Sequence, residues 1–239
     1  MYFKREKPEI YVKKWIDYTH KYGFGCILSN DSVCVNFNDG SRMILDEDLH
    51  HISYYEAREE LTKTPANYGC FTLGTYPPEL AKKVQLMEHF WSFLNGNESF
   101  KNLAKYALEK LDQEAMIGKK KQHKHDQLIY LKKWDTTKHA TIFHLSTKLT
   151  QFNFKDSAQM MLSSDAKHLT YVNKRGEAKI YLMAKADTLR LDQKNPKLTP
   201  HESEMVKRLA YTKQILNAIL VKQPEHKNKN LLRDLDYQA

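Results

Sequence analysis

The chain has 239 residues, 41% hydrophobic and 11% aromatic, which is enough for one large domain or two small domains with a packed core and excludes disorder along the whole chain. The formal net charge is +9. That charge favours nucleic acid, an anionic membrane or a phosphorylated peptide as partner, although lysine clusters that only aid solubility explain it equally well.

The N-terminal part contains short segments rich in β-branched and aromatic residues, each bounded by turn formers. They predict six strands of an antiparallel meander, at 11–18, 22–29, 32–38, 41–46, 50–56 and 67–73.

Three cysteines, an odd number without a Cys-x-x-Cys pair, indicate neither a disulfide framework nor a zinc site and fit a reducing compartment. A hairpin with its turn at residues 29–32 would place Cys26 opposite Val35, so we expect no bond between Cys26 and Cys34. No apolar run reaches transmembrane length, and the first residues lack a signal-peptide core.

A helix is predicted to begin at Pro77-Pro78 and to end at Asn95-Gly96-Asn97. Its apolar residues recur at helical spacing, which indicates a stripe that covers a sheet, or alternatively a partner surface. The stripe consists of Leu80, Val84, Met87, Trp91 and Leu94.

The segment 99–116 has helical periodicity, and a basic run follows at 119–125. The basic run is interpreted as a solvated linker, with a nuclear signal, a nucleic-acid patch or a His-x-His metal site as alternatives.

The C-terminal half repeats the meander, with strands predicted at 127–135, 138–146, 148–155, 158–163, 168–173 and 178–184. A second helix is predicted from Pro200, with Thr199 as its N-cap. Its stripe consists of Met205, Leu209, Thr212, Leu216 and Ile219. The tail at 223–239 is polar.

Comparison of the chain with itself shows that residues 26–54 align without a gap on residues 143–171, at an offset of 117. Leu-Ser, Asn-Phe-x-Asp, Met-x-Leu and His-x-x-Tyr recur in that one register. We therefore predict a duplicated unit. His51 and His168 fall at equivalent positions, which indicates a structural role for both.

The segment KKWIDYTHKYGFGCILSNDSVCVNFNDGSRMIL at 13–45 closely resembles the first polo box of Polo-like protein kinases, and YLKKWDTTKHATIFHLSTKLTQFNFKD at 130–156 resembles the second. The resemblance implies an α+β fold of two polo boxes. Each box is a six-stranded antiparallel sheet with a C-terminal helix, and the two pack as a β-sandwich with the ligand in the cleft between them.

The expected organisation is an N-terminal cap or linker remnant at 1–9, polo box 1 at 10–95, an inter-box linker at 96–126, polo box 2 at 127–222 and a C-terminal tail at 223–239. Because only 14 residues precede Trp15, we expect the chain to lack a kinase domain. It also contains no Gly-rich phosphate loop, His-Arg-Asp or Asp-Phe-Gly motif, so we expect a non-catalytic module without cofactor or metal.

The family binds peptides phosphorylated on Ser or Thr, usually after a Ser, as a strand added along the first box. Trp15 matches the tryptophan that flanks that Ser. Asp17 matches the residue whose backbone pairs with the peptide. Glu98 and Ser99 map near a backbone N–H that approaches the phosphate.

The phosphate clamp departs from the family pattern, because Ser157 and Gln159 stand where a His and a Lys are expected. The loss of two charge-assisted bonds would weaken phosphopeptide binding on the order of 100-fold. Three interpretations remain: a neutral phosphate site helped by Lys155, phosphate-independent binding, or docking elsewhere on the chain.

A second, hydrophobic groove is implied for aromatic or apolar parts of a ligand, and ordinary sheet–helix core explains the same residues equally well. They are Tyr18, Tyr22, Leu86, His89, Phe90 and Phe93.

The expected function is therefore docking, which targets a mitotic Ser/Thr kinase to peptide segments of partner proteins, with a kinase domain possible in cis. Weakened or absent phosphate dependence is favoured over conventional phosphopeptide binding. Basic nucleic-acid binding is the rival class, and no membrane partner is expected. The resemblance implies cytoplasm and nucleus, and within them centrosome or spindle pole, kinetochore or division site.

Overall fold

The computed structural model describes residues 9–57, 68–100, 105, 128–191 and 198–221. By its internal contacts the chain divides into two compact units, Val12–Leu131 and Met1–Tyr11 with Lys132–Ala239. Glu9, the last residue of the predicted cap remnant, contacts the second box: its Oε1 accepts hydrogen bonds from the N–H and the hydroxyl of Ser164 at 3.2 and 3.0 Å.

The first unit contains the six predicted strands in meander order. They are β1 Val12–Tyr18, β2 Gly23–Leu28, β3 Val33–Phe37, β4 Arg42–Leu45, β5 His51–Tyr55 and β6 Tyr68–Thr72. A 3-10 turn at Pro78–Leu80 leads into α1, Ala81–Leu94, which ends at Asn95 as expected. The stripe on α1 packs against Val35, Met43, Leu45 and Ile52 of the sheet in one buried core.

The second unit repeats this plan with β7 Leu131–Thr136, β8 Ala140–Leu145, β9 Thr150–Phe154, β10 Gln159–Leu162, β11 His168–Val172 and β12 Ala178–Leu182. Helix α3, Pro200–Val221, covers one face through Met205, Leu209 and Thr212, all fully buried. Thr199 and Glu202 form a reciprocal cap at its start, with Glu202 N–H donating to Thr199 Oγ1 and Thr199 N–H to Glu202 Oε2.

Helix α2, Met183–Leu191, was not predicted from the sequence. The sequence pattern extended the last strand to residue 184, whereas β12 stops at Leu182 and the chain turns directly into the helix. Met183, Ala186 and Leu189 of α2 pack on the same core as α3. The second sheet is therefore covered by α2 in addition to the expected C-terminal helix α3.

The predicted register of the first hairpin is wrong by one residue. Cys26 lies opposite Cys34, not Val35. The cause is Asp31, whose φ of 66° places it in the left-handed region and closes a turn of three residues, 29–31, instead of the expected four. The N–H of Leu28 therefore donates to the carbonyl of Ser32. All three cysteines are free thiols.

The segment 101–104, the segment 106–127 and the tail at 222–239 lie outside the described residues, so the predicted linker helix and the basic run are not observed. No helix among the described ranges is both long and apolar enough to cross a membrane. Within the same ranges, no three His, Cys, Asp or Glu side chains are grouped so that they could hold a metal ion.

Candidate functional site

β1 is the terminal strand of the first sheet, so one of its edges is unpaired within that sheet. Trp15 lies opposite Cys26 and Asp17 opposite Phe24 on β2. Because they are two residues apart, their backbone groups point the same way along the edge. The Asp17 carboxylate accepts hydrogen bonds from the N–H and hydroxyl of Thr19 at 3.0 and 2.6 Å. The side chain of Asp17 is therefore engaged locally, and its backbone is the part suited to a ligand.

A cavity of about 490 Å³ lies beside this strand, between β1 and α1. All six residues of the predicted hydrophobic groove line it. Its other lining residues, which the sequence did not indicate, are Ile16, Lys21, Ser92 and Asn97. We call this cavity the first-box pocket.

The two sides of the first-box pocket differ in character. On the β1 side, the rings of Tyr18 and Tyr22 stack with centroids 5.8 Å apart, and the Lys21 ammonium lies 4.8 Å from the Tyr22 centroid. On the α1 side, Phe90 is buried in the core, but Phe93 is 59% exposed. Core packing therefore explains Phe90 and leaves an apolar surface at Phe93 open to solvent.

The segment after α1 is held close to β1. Lys14 donates a hydrogen bond to the Asn95 side chain at 2.9 Å, which joins the strand to the C-terminus of the helix. Phe100 is buried, with its ring 5.2 Å from that of Trp91. Glu98 and Ser99 are exposed between these two anchors. The first unit thus brings the predicted edge-strand residues, the pocket and this segment together.

The predicted clamp residues belong to the second unit, at the turn between β9 and β10. Ser157 lies in the turn itself, with a φ of 72° and its N–H donating to the Phe154 carbonyl. Gln159 is the first residue of β10, opposite Asn153. Ala158 between them is fully buried, and Lys155 is exposed.

Arg208 of α3 stabilises this turn, and only its place on a helix could be predicted from the sequence. Its Nη2 donates to Asp156 at 2.5 Å and to Glu204 at 3.2 Å, and its guanidinium lies 4.4 Å from the Phe154 ring. Burial alone would raise the pKa of Asp156, but the hydrogen bond from Arg208 outweighs burial and holds that pKa below its usual value. The charge of Arg208 is therefore already balanced by two carboxylates.

The histidines at equivalent repeat positions begin β5 and β11. His51 Nδ1 lies 3.0 Å from Asp46 Oδ2, and Asp46 Oδ1 accepts the backbone N–H of His51 at 3.1 Å. In the second box, the His168 N–H donates to the Ser163 hydroxyl at 2.9 Å. Both contacts close a strand-to-strand turn, which supports the structural role expected for these positions.

Comparison with known proteins identifies both units. The model of the POLO box duplicated region matches residues 20–84 and 137–209, together more than half of the chain. Serine/threonine-protein kinase plk-1 of Caenorhabditis elegans is 28% identical over 91% of this chain and 31% of its own length. The cell cycle serine/threonine-protein kinase CDC5/MSD2 of Saccharomyces cerevisiae is 29% identical over 73% of this chain and 22% of its own length. The chain therefore spans less than a third of these relatives.

Solved structures agree at the level of the fold. The polo-box domain of Cdc5 from budding yeast superimposes with a TM-score of 0.65 at 24% identity, covering 91% of this chain and 80% of that one. The same domain in complex with an Spc72 phosphopeptide gives 0.60 at 22% identity, covering 84% and 70%. Its complex with the Dbf4 polo-interacting region gives 0.64 at 23% identity, covering 98% and 78%.

The matched regions are polo boxes, which are non-catalytic modules, and both sheets have the strand order that the duplicated sequence predicts. The chain belongs to the polo-box family and contains two polo boxes in tandem.

Proposed function

We propose that this chain is a docking module that binds an extended peptide segment of a partner protein along β1, with phosphate contributing little to the affinity. The observation that supports it is the position of β1 as the terminal strand of its sheet, next to the first-box pocket, where Phe93 is 59% exposed. Strand addition supplies backbone hydrogen bonds for any sequence, and the pocket supplies selectivity for an apolar or aromatic side chain.

Two known complexes support peptide docking as the mode. The polo-box domain of budding-yeast Cdc5 is solved with an Spc72 phosphopeptide and with the Dbf4 polo-interacting region. By analogy, the partner of this chain is a peptide segment, and the β1 edge is where it binds.

Weak phosphate dependence rests on the turn between β9 and β10. Neither Ser157 nor Gln159 is charged, and Arg208 is already paired with Asp156 and Glu204. Lys155 is the cation of this turn that remains exposed. A single exposed lysine contributes about 1 kcal/mol or less, compared with about 1.5–3 kcal/mol for each charge-assisted hydrogen bond of a clamp.

The test is a pair of matched short peptides with a Ser-Thr centre and a flanking Phe, one phosphorylated on Thr, titrated calorimetrically into the chain. We expect the two affinities to differ by less than about tenfold, and Trp15→Ala and Phe93→Ser to weaken both peptides. A preference of about 100-fold for the phosphopeptide would overturn weak phosphate dependence. Undiminished binding to Trp15→Ala and Phe93→Ser would overturn docking at β1.

A restored clamp sharpens the test. Ser157→His with Gln159→Lys is expected to tighten the phosphopeptide on the order of 100-fold and to leave the plain peptide unchanged. In the first box, Arg42 occupies the position equivalent to Gln159 at the repeat offset of 117. It begins β4 and its Nε donates to the Asn36 side chain at 2.6 Å, so a cation fits at this place in the fold. Ser203→Lys, on the exposed surface of α3, is the control for a gain of charge alone.

The proposal extends to the whole protein. Because the relatives are Ser/Thr kinases much longer than this chain, we propose that the module targets a kinase domain in cis to mitotic structures such as the centrosome, kinetochore or division site. A fluorescent fusion of the chain is expected to concentrate at one of these structures during mitosis. The Trp15→Ala fusion should be diffuse, and an unchanged distribution would contradict targeting through β1.

A further inference from the structure

Three large hydrophobic side chains are exposed among the described residues. Tyr18 and Phe93 line the first-box pocket, whereas the third, Leu182, ends β12 and is 45% exposed. Ile180 is half-buried and lies two residues before Leu182, so both side chains are on the same face of the sheet. Tyr181 between them packs in the core that α2 and α3 cover. Ile180 and Leu182 therefore form an apolar surface on the face opposite to these helices.

The backbone of β12 is available for pairing along one side. β12 is the terminal strand of the second sheet and pairs with β11. The Asn173 N–H donates to the Glu177 carbonyl, so the backbone groups of Glu177 point towards β11. Because directions alternate along a strand, the N–H and carbonyl groups of Ala178 and Ile180 point away from β11. Within the described ranges these groups form no hydrogen bond, and such an edge is a template for an added strand.

A lysine on an edge strand can serve only to prevent pairing with another strand. Lys179 is the lysine of β12, but it alternates with Ile180 and lies on the helix side of the sheet. Its ammonium is 3.6 Å from Glu202 of α3 and 5.2 Å from the centroid of the Tyr181 ring. Lys179 therefore does not protect the face on which Ile180 and Leu182 are accessible.

Cations lie at both ends of β12. Lys174 and Arg175 occupy the turn before the strand, Lys185 lies in the first turn of α2, and all three are exposed. The neighbouring acidic residue, Glu177, accepts a hydrogen bond from the Asn173 side chain at 2.7 Å. In the part of the chain that the structure describes, the three cations form no ion pair. An extended segment with acidic ends therefore complements this edge.

A second copy of the chain is the alternative occupant of an edge strand. Two-fold symmetry would pair β12 with its own copy in antiparallel orientation. That pairing would bring Lys174 and Arg175 of one copy next to Lys185 of the other, and like charges in such positions are unfavourable. The charges therefore favour a segment of a partner protein that carries carboxylates at both ends.

We propose that the β12 edge, Ala178–Leu182, is a docking strand for an extended partner segment that is apolar in its middle and acidic at its ends. The outward backbone of Ala178 and Ile180 aligns the segment by strand addition. The side chains of Ile180 and Leu182 contact its apolar residues, and the cations at both ends of β12 hold its carboxylates. The site lies on the second box and does not depend on the function proposed for β1.

The probe is a blocked peptide with Glu-Glu at each end and Val-Thr-Val-Thr-Val between them, titrated into the ¹⁵N-labelled chain and followed by amide chemical shifts. We expect the largest shifts at Ala178 and Ile180. Leu182→Thr keeps a residue suited to a strand but removes apolar surface, so we expect it to weaken the probe at least about threefold. Lys174→Glu with Arg175→Glu is expected to weaken it at least about tenfold.

Two N-methylated probes test the backbone contribution. N–H groups alternate in direction along an extended peptide, so those of the Val residues point to one side and those of the Thr residues to the other. Strand addition predicts that N-methylation of one set weakens binding at least about tenfold and that N-methylation of the other set does not. Equal affinity of the two N-methylated probes would overturn strand addition.

The matched control for the change in charge is Lys82→Glu with Lys148→Glu, two exposed lysines on α1 and in the turn between β8 and β9. Equal weakening by both double variants would reduce the interaction to general charge attraction and overturn the proposal. Unshifted amides at Ala178 and Ile180 in the presence of the probe would overturn it as well.

Other occupants and other sites give different results. We expect Phe93→Ser, and a chain that ends at Val221, to bind the probe as the full chain does. Loss of the probe from Phe93→Ser would assign the binding to the first-box pocket. Tighter binding to the shortened chain would make the C-terminal tail the occupant, and a dimer that Leu182→Thr dissociates would make a second copy the occupant. Each of these three results contradicts the proposal.

Discussion

Gly25 and Phe90 are in direct contact across the interface between β2 and α1. A Cβ atom built on Gly25 would lie 2.4 Å from the Phe90 ring, far inside van der Waals contact. The absence of a side chain at Gly25 is therefore what lets the α1 aromatic approach the sheet and form the inner wall of the first-box pocket.

Gly25→Ala is expected to push Phe90 outwards, which would destabilise the chain by about 1–3 kcal/mol and close the pocket. Urea unfolding measures the first effect, and the affinity for a Phe-containing peptide measures the second. Gly176→Ala is the control for the loss of a glycine, because nothing lies within 4 Å of a Cβ there, although its φ of 83° adds backbone strain. If Gly25→Ala keeps both stability and peptide affinity, the contact does not shape the pocket.

Lys83 joins α1 to the turn between β3 and β4. Its ammonium donates to Asp39 at 2.6 Å, Ser41 at 2.5 Å and Tyr54 at 3.0 Å. Lys83→Met keeps an unbranched side chain over the Phe37 ring but removes these bonds, so we expect a loss of about 1–3 kcal/mol in the free energy of unfolding. Lys82→Met, the exposed neighbour, should be within about 0.5 kcal/mol of wild type.

The difference in stability between wild type and Lys83→Met depends on pH, because the pKa values of Asp39 and Lys83 are both shifted. Burial alone would raise the pKa of Asp39, but the hydrogen bonds from Lys83 and Ser41 outweigh burial and lower it. The contribution of Asp39 to stability is therefore present above the pKa of the unfolded chain and is lost as the pH falls through the pKa of the folded chain. Burial alone would lower the pKa of Lys83, but its hydrogen bond to Asp39 outweighs burial and raises that pKa. The contribution of Lys83 to stability is therefore lost only as the pH rises above the usual pKa of a lysine. Wild type and Lys83→Met should therefore converge in stability below about pH 4 and differ most near neutral pH.

Arg208 is expected to determine both the stability of the second box and the shape of its β9–β10 turn. Arg208→Met removes the partner of Asp156 and Glu204. Removal of one partner from a fully buried ion pair costs about 3–5 kcal/mol. We expect a smaller loss in the free energy of unfolding here, because Asp156 is 46% exposed. The pKa of Asp156, followed by NMR, should rise towards its usual value in the variant. Lys207→Met, an exposed neighbour on α3, is the control. An unchanged Asp156 pKa would show that the contact does not hold the turn in solution.

Strand order and helix position were predictable because each depends on local pattern. Alternating segments separated by Asn, Asp and Gly specify a meander, and proline and asparagine mark the ends of α1. The spacing of Leu80, Val84 and Met87 likewise identifies the buried face of α1. Because the second half repeats the sequence pattern of the first, the strand order of the second sheet could be predicted from that of the first.

What could not be predicted depends on single backbone angles and on loop length. The left-handed conformation of Asp31 shifts a whole hairpin by one residue, and nothing in the strand sequences signals it. Two residues lie between the paired Thr137 and Ala140 at the β7–β8 turn, whereas four lie between the paired Tyr18 and Gly23 at the β1–β2 turn, and an ungapped alignment misses this difference. The pairing of Arg208 with Asp156 joins residues 52 positions apart, so it emerges only from the packing of α3 on the sheet.

The corrected hairpin register has a consequence for thiol reactivity. Cys26 and Cys34 face each other across β2 and β3 and are fully buried, whereas Cys70 on β6 is exposed. A hydrogen bond to the Cys34 thiol, together with burial, raises the pKa of Cys26, which disfavours the reactive thiolate. With Ellman's reagent under native conditions we expect one thiol per chain to react rapidly and the other two to react only after unfolding. Cys70→Ser should abolish the fast phase, and Cys34→Ala should retain it. Two fast thiols in the wild-type chain would contradict the buried cross-strand pair.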